Sequence, residues 1–167
     1  MMVRFLRENI YAAYGLLLLR LYLGWNWMTA GWEKLTGSEP FSAEGFLQGA
    51  LKKMGGEHPS VSQWWGGFVE NFALPNVGFF NFMIPLGEFL VGLGLILGCL
   101  TTAAVFFGMM MNFAFLFSGT VSHNPQMVLV SIFVIVAGFN AGKIGLDRWV
   151  IPYLRNWYVK SFKKASV

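Results

Sequence analysis

VGFFNFMIPLGEFLVGLGLILG, residues 77–98, is apolar along its whole length except for Asn81 and Glu88. A helix crosses the roughly 30 Å hydrocarbon core of a bilayer with about 20 mainly apolar residues, so this stretch is long enough to span. Three others read the same way, at about 10–31, 101–119 and 126–141. The tight join at Gly98-Cys99-Leu100-Thr101 sets the second and third stretches side by side and antiparallel. The pattern predicts an all-α membrane protein, a four-helix transmembrane bundle forming a single domain over residues 1–167.

Composition supports that reading and excludes others. Of the 167 residues, 56% are hydrophobic and 12% charged, against about 25% charged in an average soluble domain. Seventeen Phe and seven Trp are too much apolar mass for a disordered chain. Cys99 is the single cysteine, which rules out a disulfide within the chain and CxxC dithiol chemistry. With two histidines, His58 and His123, no metal site is expected. The Met109-Met110-Met111 run spreads over three helix faces and reads as packing. The net charge of +4 does not point to nucleic acid, because six of the twelve Lys and Arg lie from Lys143 onward.

Those basic residues set the expected topology. Arg4 and Arg7 precede the first stretch, and Lys143, Arg148, Arg155, Lys160, Lys163 and Lys164 follow the last. The positive-inside rule then places both termini in the cytoplasm, with a tail over about 143–167, in a cell-membrane protein of four passes. Arg20 interrupts the first apolar run and no small-residue cleavage site follows, so the run is read as a span and not as a signal peptide. The outer loop, about 36–76, is too aromatic for a plain connector. Leu47, Leu51 and Met54 fall at helical spacing, as do Trp64, Phe68 and Phe72 after Pro59-Ser60. Two short amphipathic helices are expected there, either as an interfacial anchor or as a lid over a site between the spans.

Arg20 and Glu88 each interrupt a span near its middle, about ten and eleven residues in, which predicts similar depth and a buried pair. On a helical wheel Gly24, Trp27, Gly31 and Lys34 share the face of Arg20. Asn81, Gly92 and Cys99 share that of Glu88, Thr101, Gly108 and Gly119 that of Asn112, and Gly138 and Gly142 that of Ser131. Small and polar stripes of this kind face other helices. Arg20, Glu88 and Asn112 therefore form either an internal network that fixes helix register or the polar lining of a cavity. His123, between Ser122 and Asn124-Pro125, reads as a turn residue.

The run from Arg20-Leu-Tyr-Leu-Gly24 to Gly31-Trp-Glu-Lys34-Leu35 resembles the opening signature of the DoxX family of small membrane proteins. Glu88-Phe-Leu-Val-Gly92 through Gly98 and Thr101-Thr-Ala-Ala104 is similar to the family's second span and turn, and Gly138 through Gly142-Lys-Ile-Gly145-Leu-Asp147 to its ending. The resemblance implies a bundle related to the membrane subunit of thiosulfate:quinone oxidoreductase, which oxidises thiosulfate to tetrathionate and passes electrons to a membrane quinone.

Three functions stay open. In the first, a quinone-linked oxidoreductase subunit, Arg20 and Glu88 are the catalytic candidates, Glu88 as proton acceptor. Lys34, Trp27, Asn112 and Trp64 are then the ligand-binding candidates, with a small anionic substrate approaching past Lys34. A quinone is the one cofactor suggested, and with no electron carrier evident in the chain a partner redox subunit is implied. The second is a carrier or channel for a small solute through the same stripe. The third is a noncatalytic subunit that docks a redox partner through its basic tail.

Overall fold

The computed structural model describes residues 1–55 and 57–163, with side chains described as far as residue 161. Its regular structure is all helical, with no strand among the described residues. The elements are α1 (Met2–Glu8), α2 (Ile10–Thr36), α3 (Glu44–Met54), α4 (Gln63–Phe68), α5 (Val77–Leu97), α6 (Thr101–Phe117), α7 (Asn124–Ala137), α8 (Phe139–Gly142) and α9 (Asp147–Lys163).

Local chemistry sets the boundaries. The Asn9 side chain accepts from the amides of Tyr11 and Ala12, capping α2 where four N–H groups lack helical partners. α2 then runs 27 residues, past the expected end at 31. α5 stops at Gly98, which adopts the left-handed conformation at φ 62°. α7 stops after 14 residues because Gly138 sits at φ 58° and ψ −128°, a conformation closed to other residues. The expected fourth apolar stretch to 141 is therefore two pieces, α7 and the single turn α8. α5 is long and apolar enough to cross a membrane, whereas α6 and α7 are apolar but shorter.

α2 and α5 lie antiparallel in the closest contact of the fold, and glycine makes it possible. Gly24 sits on the Gly92 carbonyl and Ile96, Gly31 on the backbone of Phe89 and Pro85, and Gly92 on the backbone of Met28. A Cβ at Gly31 or Gly92 would collide with main chain, which cannot swing away. α6 packs on α5 and α7, while α7 and α8 close back on α2. Leu16, Leu23, Trp27, Leu95, Val105 and Val134 fill the core between them.

The outer loop folds into the two expected helices, α3 and α4, with α4 running on into a π-helical turn at Val69–Ala73. Its inward face is not the Trp64, Phe68 and Phe72 stripe. Val69 and Ala73 are buried with Ala43 and Leu47 against Phe80 and Ile84 of α5, while Trp64 is 63% and Phe72 51% exposed. The expected C-terminal tail is mostly helix, α9, whose Trp149, Tyr153 and Trp157 are exposed. Residues 164–167, with Lys164 of the basic cluster, lie outside the described part.

The glycine contacts carry a direct test. Gly92→Leu should cost about 3 kcal/mol through forced separation of α2 and α5. Gly15→Leu, on the same helix as Gly31 but with nothing within 4 Å of an added Cβ, should stay within about 0.5 kcal/mol of the parent. Thermal melting of the two purified variants measures the difference.

Candidate functional site

Lys34 and Glu88 meet at the end of the α2 and α5 contact. The register that seats Gly31 on Pro85 and Phe89 brings Lys34, a turn further along α2, over the carboxylate of α5. Lys34 Nζ donates to Glu88 Oε2 at 2.6 Å and to the Ala30 carbonyl at 3.3 Å, and stands 5.8 Å from the centroid of the Phe41 ring. The Glu88 side chain is 2% exposed and that of Lys34 29%, so a buried carboxylate is closed off by a half-buried ammonium. Charge-assisted contacts of this kind are strong when water is excluded.

The pair lines a cavity of about 330 Å³. Trp27, Phe41, Phe46 and Phe115 supply aromatic walls, and Thr120, Ser122, His123 and Asn124 a polar rim. Ser122 Oγ lies 3.4 Å from His123 Nδ1, and Asn124 Nδ2 is tied to the Thr120 carbonyl at 3.0 Å. A flat ring of moderate size fits between the walls, with one strong donor, one carboxylate able to pass a proton, and an imidazole at the rim.

Three of the sequence candidates, Glu88, Lys34 and Trp27, thus share one cavity. Arg20 does not join them, and the expected pairing of Arg20 with Glu88 is overturned. Arg20 donates from Nη1 to the Ala141 carbonyl at 2.9 Å and from Nη2 to the Ile144 carbonyl at 2.7 Å, and the carboxylate acting on its charge is Asp147. Similar counts from the starts of two antiparallel spans give one depth only if the helices are aligned end to end, and α2 and α5 are staggered. In the antiparallel register Glu88 lies level with Gly31, and Arg20 precedes Gly31 by eleven residues, about 16 Å along the helix.

Arg20 belongs instead to a junction of helix ends. Asp147 accepts from the amides of Leu100 at 2.6 Å and Thr101 at 2.8 Å, capping α6. The amides of Leu146 and Asp147 in turn donate to the Leu97 and Gly98 carbonyls at the end of α5. Gly98, Gly142 and Gly145 leave room for these groups, since an added Cβ would strike Arg20 at Gly98 and Asp147 at Gly142. Asn112 is fully buried on α6 outside the cavity lining, and neither Oδ1 nor Nδ2 has a hydrogen-bond partner. Trp64 also lies outside the lining, edge-on to Trp65 and Phe117 on the surface.

Sequence reading missed the cavity's rim and three of its four aromatic walls. Phe41 and Phe46 come from the outer loop and helix α3, Phe115 from α6, and Thr120 to Asn124 from the α6 to α7 connection. The one available signal was His123 among Ser122 and Asn124, a polar cluster between two apolar stretches, which read as a simple turn.

A family model described as DoxX matches residues 15–120. The matched stretch holds Lys34, Glu88 and their aromatic walls, and ends before α7, so the terminal Gly138 to Asp147 pattern lies outside it. No curated protein and no solved structure matches the chain.

The geometry predicts which charges are coupled. Lys34→Met and Glu88→Leu should each destabilise by about 3 kcal/mol, because each leaves its partner unpaired. The double change should cost at least about 1 kcal/mol less than their sum. Arg20→Met combined with Glu88→Leu should instead add within about 0.5 kcal/mol, since the two groups share no partner. Denaturation of the single and double variants gives both cycles.

Proposed function

Because the chain belongs to the DoxX family, we propose that it is a four-helix integral membrane protein whose Lys34 and Glu88 cavity binds the head group of a quinone, as the membrane subunit of a thiosulfate:quinone type of oxidoreductase. The observation that carries this reading is the Lys34 and Glu88 ion pair on the wall of an aromatic cavity of about 330 Å³.

Placement in the bilayer is supported by what the helices leave uncovered. Only 28% of the apolar α5 window is buried inside the protein, too little for the core helix of a soluble globule. Leu90, Phe106, Phe107, Met110, Phe113 and Leu129 stand exposed on α5, α6 and α7. Such a girdle is far beyond the scattered apolar residues of a soluble surface. Arg20 of α2, Glu88 of α5, Asn112 of α6 and Ser131 of α7 are turned inward. α2, α5, α6 and α7 with α8 are then the four spans. The basic residues of α9 support an orientation with both termini in the cytoplasm. α2 starts at that face, so the cavity at its far end opens toward the outside.

The cavity suits a quinone ring on chemical grounds. Reduction of a quinone to its quinol takes two electrons and two protons, and oxidation of two thiosulfates to tetrathionate releases two electrons. Lys34 is placed to donate a hydrogen bond to one quinone oxygen, and Glu88 to hand on a proton and be reprotonated from the rim. Trp27 and Phe115, with ring centroids 6.4 Å apart, give flat apolar faces for the ring. Electrons reach the ring from the sulfur anion itself or through a partner subunit. Arg20 takes no part in this chemistry and acts by holding helix ends.

Purified protein with its native membrane should retain a quinone identifiable by mass spectrometry, and should reduce a short-tailed quinone with thiosulfate as donor. Glu88→Gln keeps a hydrogen-bond acceptor for Lys34 but removes the titrating carboxyl, and should lower kcat about a hundredfold while destabilising the protein less than Glu88→Leu does. Absence of both quinone binding and donor-dependent reduction in the parent protein overturns the redox reading and leaves the carrier and docking-subunit functions.

A further inference from the structure

Beside the Lys34 and Glu88 cavity lies a larger groove of about 530 Å³, between α5 and α6 under α3 and α4. Its walls are apolar apart from Ser118, and that hydroxyl is already used. Ser118 Oγ accepts from Trp65 Nε1 at 2.9 Å and donates to the Ala114 carbonyl at 2.8 Å. An occupant of the groove therefore finds no hydrogen-bonding group. Along the outer surface of the bundle the groove is flanked by Met83, Leu90, Phe107 and Met110, each more than 40% exposed.

The two chambers are neighbours. Phe46, Ile84 and Phe115 line both, and the Phe46 and Phe115 rings meet edge to face with centroids 5.7 Å apart. A ligand seated in the cavity against Trp27 and Phe115 has two ways to extend. One passes the polar rim at Thr120 and His123, and the other passes the Phe46 and Phe115 wall into the groove.

We propose that the groove between α5 and α6 holds the isoprenoid tail of a quinone whose head group sits in the Lys34 and Glu88 cavity, so that the substrate is a long-tailed lipid quinone that reaches the cavity sideways from the bilayer past Phe46 and Phe115. This rests on the quinone reading of the cavity. A quinone joins a ring that needs hydrogen-bonding partners to a tail that can use none, and the adjoining chambers offer the same two chemistries in the same order. A phospholipid acyl chain would use the groove alone and leave the Lys34 and Glu88 cavity without a ligand. The rim route would set the tail against hydroxyl, amide and imidazole groups, whose desolvation costs free energy that the groove does not ask for. A tail drawn from lipid is already in an apolar medium, so the groove adds direction and shape selection more than hydrophobic affinity.

The test compares two quinones with one head group, carrying a single isoprene unit or a long isoprenoid tail, on the full-length purified protein. Gly87→Leu grows a side chain into the groove from a position where an added Cβ meets only Met111 Sδ at 3.6 Å, an ordinary contact. Met110→Trp fills it from an exposed position. Both variants should bind the long-tailed quinone at least about tenfold more weakly and the short-tailed one within about twofold of the parent, unchanged short-tail binding showing that the fold is intact. Equal binding of the long-tailed quinone to parent and both variants, or equal loss of both quinones, overturns the groove proposal while leaving the cavity reading in place. Failure of the parent to bind either quinone, with phospholipid alone retained, overturns both.

Discussion

The register of α2 against α5 decides which polar groups meet. Gly24, Gly31 and Gly92 let the two backbones touch, and since a glycine seated on main chain admits no sliding, that contact fixes one alignment. Lys34 then falls over Glu88, and Arg20 falls at the far end of α5 beside Gly98. Neither charge chose its partner by proximity in sequence. A shift of one helical turn, about 5.4 Å, would leave Glu88 buried against apolar side chains and open the Arg20 junction, with several kcal/mol at stake in each.

Constraint of a second kind operates at the Arg20 end. Helix termini carry unpaired amides and carbonyls, and in hydrocarbon no water is at hand to satisfy them. Three helix ends converge here, and two side chains with two backbone amides serve them all. Arg20 takes the carbonyls of Ala141 and Ile144, Asp147 takes the amides of Leu100 and Thr101, and Leu146 and Asp147 supply amides to Leu97 and Gly98. The guanidinium fork suits two carbonyls at once, which a lysine would not match. Polarity is thus spent on closure at one end of the bundle and on a cavity at the other.

Helix positions and buried faces were legible because they depend on local periodicity. Trp27, Gly31 and Lys34 do share a stripe with Arg20, and Thr101, Gly108 and Asn112 share another that is buried as the wheel implies. Relative depth was not legible. The N-terminal turns of α2 run past the end of α5 at Gly98 and the first turns of α5 run past Thr36, so similar counts from the two starts do not bring Arg20 and Glu88 to one depth. In the outer loop the aromatic stripe at Trp64, Phe68 and Phe72 was legible, but the face that packs on α5, Val69 and Ala73 in the π-helical turn, repeats at the same spacing and was not. The rim escaped because His123 and Phe46 reach the cavity only through tertiary packing.

The Arg20 and Asp147 junction also sets the order in which the chain can finish folding. The amides of Leu100 and Thr101 find their acceptor 47 and 46 residues later, and Arg20 finds its carbonyls 121 and 124 residues later. A polypeptide is made from its N-terminus, so during synthesis the glycine contact of α2 with α5 forms while these groups still wait for partners. Until Asp147 leaves the ribosome, the start of α6 has no cap and the guanidinium of Arg20 has no carbonyls. The segment around Asp147 is therefore the bolt of the bundle: the Arg20 end locks only after all four apolar stretches have been made.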